Sequence, residues 1–207
     1  MRVTRIEEVS KSRVRICVDE EFAFVLYKGE LRSFHIREGE EMEEENFRII
    51  MKELLPKRAK LRAMGLLKNR EYTIKQLRDK LKMGGYPEDI VEEALAYMDS
   101  YHYTDDLRYA ANYIRCHERT RSRRRIEQDL MGKGIDRLTL EQAWAEWEEE
   151  GGSQDECLMI QSLLDKKGFD VQTADQREKQ RIYAFLMRKG FSCEQARKAV
   201  QSDAFWD

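Results

Sequence analysis

Arginines crowd two stretches of this chain, and a guanidinium does one kind of chemistry well: its planar fork grips a carboxylate or a phosphate through two parallel hydrogen bonds. The denser stretch holds Arg115, Arg119, Arg121, Arg123, Arg124, Arg125 and Lys133, and an earlier one holds Arg70, Lys75 and Arg78. These ten residues are the candidate contacts for an acidic protein surface or a nucleic-acid backbone. Between residues 57 and 82 ten bases stand against two acids, a net of +8; between 115 and 137 eight stand against four, a net of +4. Residues 141 to 156 reverse the sign with seven acids and no base. Ser122 directly precedes the arginine run as a helix-start residue, so its hydroxyl and the first-turn amides could also meet a phosphate. A solvated helix face is the commoner meaning of such charge runs, and it stands beside the binding reading.

Other chemistries lack their parts. His35, His102 and His117 have no partner at metal-ligand spacing and read as surface or structural histidines, so no metal site is expected. Gly132-x-Gly134 and the Lys82-Met83-Gly84-Gly85 stretch read as helix ends and not as phosphate loops. The acidic runs have no apolar pocket to separate two carboxylate pKa values, which leaves them as solvated faces. Neither an enzyme nor a cofactor is expected. Helix-turn-helix base readout also finds no support, because no exposed face singles out Asn, Gln and Arg side chains.

The elements that must position these arginines are helices. The 207 residues are 38% charged against 41% apolar, with only two prolines and eleven glycines, which leaves long runs of good helix formers. The 38 bases and 40 acids give a net charge of −2, so no simple nucleic-acid coat is indicated. No segment reaches the roughly 18 consecutive apolar residues of a membrane span, and the charged start lacks a secretory signal's apolar stretch. A cytoplasmic protein is expected, with Cys17, Cys116, Cys157 and Cys193 reduced.

Aligning the chain on Gly85, Gly134 and Gly190 brings three segments into register. Eight residues earlier stand Leu77, Ile126 and Ile182; four earlier stand Leu81, Leu130 and Leu186; one later stand Tyr86, Ile135 and Phe191. Then come the helix-start residues Pro87, Asp136 and Ser192, and further on Ala94, Ala143 and Ala199, followed by Leu95, Trp144 and Val200. A helix, a glycine stop and a second helix explain these columns. The apolar pair lies on one helix face, the glycine takes a left-handed turn at no Cβ cost, and the residue after it packs back on the helix. Thr73 and Ser122 are N-caps, whereas the third copy departs with Glu178. A further helix precedes each pair, over 58–68, 106–119 and 155–167. Trp144 falls in a core column, while Trp147 and Trp206 could anchor a partner.

The front differs. Residues 13–18 alternate polar and apolar, 22–27 form a β-branched and aromatic run, and 31–36 follow a turn at Lys28-Gly29-Glu30, which predicts a two- or three-stranded β element. The division expected is a β extension over 1–45, a linker helix with the first three-helix module over 46–104, a second module over 105–152 and a third over 153–207.

These residues resemble the RecX regulators of the RecA recombinase. The likeness rests on residues 70–81 (REYTIKQLRDKL), 103–110 (YTDDLRYA), 122–135 (SRRRIEQDLMGKGI) and the weaker Arg188-Lys189-Gly190-Phe191, and covers about 57–203. Trp144, Trp147, the acidic run after them and the missing third cap depart from the pattern. The resemblance implies a mainly α protein of three tandem three-helix repeats in an elongated curved stack. It further implies a monomer that binds within the groove of a RecA–DNA filament and inhibits filament growth, strand exchange, ATP hydrolysis and co-protease activity, in homologous recombination, DNA repair and the SOS response. Single- or double-stranded DNA is a further expected partner. The rival reading is a sequence-independent DNA-binding module acting without RecA.

Overall fold

The computed structural model describes residues 1–201 and is mostly helical; Trp206 and the end of the third module lie outside the described residues. The chain forms two compact units, residues 1–105 and a second from 106 onward.

The first unit opens with a three-stranded antiparallel sheet, β1 (Val3–Glu8), β2 (Arg13–Val18) and β3 (Glu21–Tyr27), in that order. Its period-two alternation buries Val14, Ile16 and Val18 on one face. The β2–β3 hairpin turns through Asp19 and Glu20, both with positive φ, as a two-residue turn matched to strand twist requires. Strand β1 was not expected, since charged Arg5, Glu7 and Glu8 dominate it and its apolar Val3 and Ile6 stand three apart, across an irregularity in register between Val3 and Arg5.

The strand expected at 31–36 is absent. Residues Lys28–Ser33 form helix α1, started by Glu30, whose carboxylate accepts the Tyr27 N–H at 2.8 Å. It ends where Ile36 N–H reaches back to Leu31 O and His35 takes a left-handed φ of 50°.

Helix α2 (Glu44–Ile49) runs through a π-helical turn, Ile50–Leu54, into α3 (Leu55–Leu67). Pro56 does not interrupt it. Proline offers no N–H and its ring crowds the carbonyl four residues back, and the wider turn just before it, closed by Leu55 N–H on Ile50 O, absorbs both. Helices α4 (Ile74–Met83) and α5 (Glu88–Ser100) complete the first three-helix module. Sheet and module share one core, in which Ile16, Phe24 and Leu26 meet Ile50, Leu77 and Met98. On the other face of β3, Val25 lies so close to Gly85 that a Cβ there would sit 2.3 Å from its methyl carbon.

The second unit holds two further modules: α6 (Asp106–His117), α7 (Arg123–Gly132) and α8 (Arg137–Glu149), then α9 (Glu156–Asp165), α10 (Gln176–Lys189) and α11 (Cys193–Gln201). Each repeat glycine takes the left-handed turn expected, with φ of 83°, 96° and 92° at Gly85, Gly134 and Gly190. Ile135 N–H closes on Leu130 O and Phe191 N–H on Leu186 O, the 6→1 bonds of a Schellman end. The apolar columns are core throughout, except that Tyr86 is half-buried where Ile135 and Phe191 are buried. Thr73 and Ser122 cap as expected. The third module has its own cap three residues before Glu178, where Asp175 accepts the Glu178 N–H at 2.7 Å, so α10 starts at Gln176 and does not lack a cap.

The second and third modules are joined through Ser122, whose N–H donates to Lys189 O at 3.1 Å. Gly190 fits against it so closely that a Cβ would stand 2.4 Å from Arg125 Cβ and 2.5 Å from Ser122 Oγ. The Gln154 amide donates to Glu118 O and Arg121 O, at 2.6 and 3.1 Å. The Trp147 indole N–H donates to Glu118 at 2.5 Å, and its ring lies over Gly152.

Candidate binding surface

Helices α6 and α7, the loop between them and the end of α7 carry the dense arginine stretch, and most of its members face carboxylates of the same chain. Arg115 grips Glu150 with both nitrogens, the closest contacts at 2.6 and 2.7 Å. Arg121 donates to Asp129 at 2.5 Å and to the Tyr113 hydroxyl at 2.7 Å, and Arg125 reaches the same carboxylate at 3.0 Å. Arg123 spans Glu127 at 3.2 Å and Glu148 at 2.7 Å while its guanidinium lies 4.5 Å from the centre of the Trp144 ring. Lys133 stands over the Tyr113 ring at 5.5 Å. Burial raises the Tyr113 hydroxyl pKa above its ordinary value, against the pull of Arg121.

Two arginines of the stretch point away from this network. Arg119 is 91% exposed, with only its sequence neighbour Glu118 nearby at 3.6 Å. Arg124 is exposed and has no carboxylate partner among the described residues.

The acidic run after Trp144 is therefore not only a solvated face. Glu148 and Glu150 neutralise Arg123 and Arg115 from across the module, so charges that are segregated in sequence meet in the fold. All four side chains are substantially exposed, and such pairs are worth about 0–1 kcal/mol each. Their consequence lies in surface charge more than in stability.

In the first unit, Arg78 is held bidentately by Glu92 at 2.7 and 3.0 Å; that hydrogen bonding raises the guanidinium pKa and lowers the carboxyl. Arg70 rests on the Tyr72 ring at 4.4 Å and is exposed. Lys75, in the first turn of α4, is exposed with no carboxylate partner among the described residues.

The phosphate site suggested at the start of α7 does not exist as drawn. Ser122 is 1% exposed, its hydroxyl accepts the Arg125 N–H, and its own N–H is bound by Lys189 O. The α7 N-terminus is spent on holding the third module.

Of the remaining candidates, Trp144 is core and Trp147 is buried at the module joint. His117 Nδ1–H donates to Tyr113 O at 2.8 Å, and the imidazole stacks on the Tyr113 ring. No three His, Cys, Asp or Glu side chains gather to hold a metal ion among the described residues, and the four cysteines stand free. No described helix is long and apolar enough to cross a membrane.

Sequence reasoning missed a basic groove in the third module, lined by Lys167, Arg177, Arg181 and Arg188 around Phe185. The available signal was the spacing of the three arginines on α10, at i, i+4 and i+11, which places them along one face.

Comparison with known proteins agrees with the modules found here. Family models for the first, second and third three-helix domains of RecX match residues 59–98, 105–143 and 154–200, in that order. The protein named Regulatory protein RecX of Caldanaerobacter subterraneus subsp. tengcongensis is 30% identical over 204 residues, 97% of this chain and 98% of that one. Its namesake in Vibrio vulnificus is 35% identical over 143 residues, 69% of this chain and 90% of the relative. A crystal structure of regulatory protein RecX superposes with a TM-score of 0.57 at 25% identity, covering 96% of this chain and 98% of the other. With all three domains matched in order and a 30% identical relative aligned along nearly its whole length, the chain belongs to the RecX family of regulatory proteins.

Proposed function

We propose that this protein is a negative regulator of the RecA recombinase. It binds as a monomer in the groove of RecA–DNA filaments in the cytoplasm and inhibits filament growth, ATP hydrolysis, strand exchange and co-protease activity. The carrying observation is the match of nearly the whole chain to proteins named as regulatory RecX proteins. The modules of 46–104, 105–152 and 153–207 are the units that follow the groove.

The exposed cations narrow the contact surface. A guanidinium already bound to an internal carboxylate must give up that partner before it binds another, whereas a solvated one loses only water. Arg119 and Arg124 on the second module, with Arg70 and Lys75 on the first, are the side chains placed to engage an acidic protein surface or a phosphate. Arg78, Arg115, Arg121, Arg123 and Arg125 are already held by carboxylates of the chain and are the weaker contacts.

The rival, sequence-independent DNA binding without RecA, draws on the same exposed cations. A titration of this protein into RecA on single-stranded DNA separates the two. Filament regulation gives loss of ATP hydrolysis well below one protein per RecA. DNA binding alone gives loss only where the DNA is coated, with affinity falling steeply as salt rises.

A further inference from the structure

A groove of about 570 Å³ runs beside α10 in the third module. Arg177, Arg181 and Arg188 line it from one stripe of that helix, and Lys167 enters from just beyond the end of α9. Glu178 is the one acid on its wall. None of the four cations has a carboxylate partner among the described residues, unlike Arg123 and Arg125 of α7.

The floor is apolar, made by Ile182, Ala184 and Phe185. The Lys167 and Lys189 ammonium groups sit 5.1 and 5.7 Å from the centre of the Phe185 ring, and a ring face is a weak counter-charge. Burial, together with the nearby Arg121 and Lys167, lowers the Lys189 pKa below its ordinary value. The surroundings of the groove therefore store like-charge repulsion that a polyanion relieves.

We infer that this groove binds a short run of single-stranded nucleic acid. Its phosphates meet Lys167, Arg181, Arg188 and Lys189, and a base packs on Phe185 and Ile182. Arginine forks suit phosphate oxygens, and the apolar floor selects the strand state: a duplex hides its base faces in the stack, whereas a single strand presents them. An acidic peptide would satisfy the cations, but its Asp and Glu side chains offer the floor no aromatic face, whereas every nucleotide carries a base beside its phosphate. Neither Arg119 nor Arg124 lines the groove, so the inference goes beyond the filament contact proposed above.

Fluorescence anisotropy with full-length protein tests it, using a labelled oligothymidylate of about 20 nucleotides and a duplex of equal length. Reversal of two cations in R181E/R188E should weaken single-strand binding at least tenfold and reduce the salt slope by about 1.4, at about 0.7 for each phosphate contact. F185L should weaken single-strand binding several-fold and leave duplex binding unchanged, with unaltered helicity showing that the module stays folded. R137E, at an arginine of α8 outside the groove lining, should retain most of the single-strand affinity. Equal binding by wild type and R181E/R188E would overturn the inference. So would displacement of the oligonucleotide by polyglutamate as readily as by unlabelled oligothymidylate at matched charge, which would mark a surface for acidic protein. RecA inhibition measured on the same variants reads the filament contact separately, so failure of one reading is not failure of the other.

Discussion

The second and third modules share a plan, and both carry arginines on their middle helix, yet the two sets stand in opposite surroundings. On α7 and just before it, Arg125 and Arg121 close on Asp129 and Arg123 closes on Glu127 and Glu148. On α10, Arg177, Arg181 and Arg188 line an open groove with no carboxylate partner among the described residues. Local sequence counts mislead about both. The stretch richest in arginine is largely neutralised by its own fold, and the stretch with fewer arginines keeps its charge. What decides the matter is where the carboxylates arrive: one turn away on the same helix, or 25 and 35 residues away on α8 and at its end.

Five substitutions break or sharpen this contrast. The largest effect is expected at the joint that makes the two modules one unit. G190A places a Cβ against Ser122 and Arg125 in a left-handed backbone conformation, and should cost about 2–4 kcal/mol in urea unfolding. Gly168 has a similar positive φ but open space around it, so G168A should cost only about 1 kcal/mol. Equal losses at the two glycines would show that the joint is not packed as described.

Next comes the ion-paired side of the comparison. R121A removes one of two guanidinium partners from Asp129, whose side chain is only 16% exposed, and also a hydrogen bond from Tyr113; a loss of about 1–2 kcal/mol is expected. On the unpaired side, R181A should change stability by no more than about 0.5 kcal/mol while weakening polyanion binding. If R181A destabilises as much as R121A, the groove arginines are not free.

The smallest effect is a pH dependence. The Lys189 pKa is lowered in the folded state by burial and by neighbouring cations, so between that value and the ordinary lysine value the unfolded chain holds a proton that the folded chain has released. Stability contributed by this group therefore rises as pH rises through that window. K189Q should flatten the alkaline slope of the melting temperature relative to wild type, and an unchanged slope would remove the crowding of cations around Phe185.

The helical modules were legible because their rules are local. A glycine stop, a cap three residues before its partner N–H and apolar residues four apart can each be counted along the chain, and Gly134, Ser122 and Leu130 obey them. The misreadings arose where a local rule had two answers or the partner was distant. Residues 31–36 carry a β-like composition, but the Glu30 side chain reaches back to the Tyr27 N–H and starts a helix instead. Ser122 was recognised as a cap, but not as one covered by Lys189 and Gly190, which lie more than 60 residues on. The basic groove was missed because its cations come from two helices at helical spacing and form no contiguous run.

The central claim, that this chain regulates RecA filaments through cations its own fold leaves unpaired, is tested most directly by one measurement. It is the initial rate of RecA ATP hydrolysis on single-stranded DNA with wild-type protein, R119E/R124E or R121E/R125E added substoichiometrically. The account predicts inhibition by wild type well below one molecule per RecA, about a tenfold weaker effect for R119E/R124E, and for R121E/R125E a loss of inhibition only in proportion to lost folding. Inhibition that appears only where the protein coats the DNA, or that is undiminished in R119E/R124E, would contradict it.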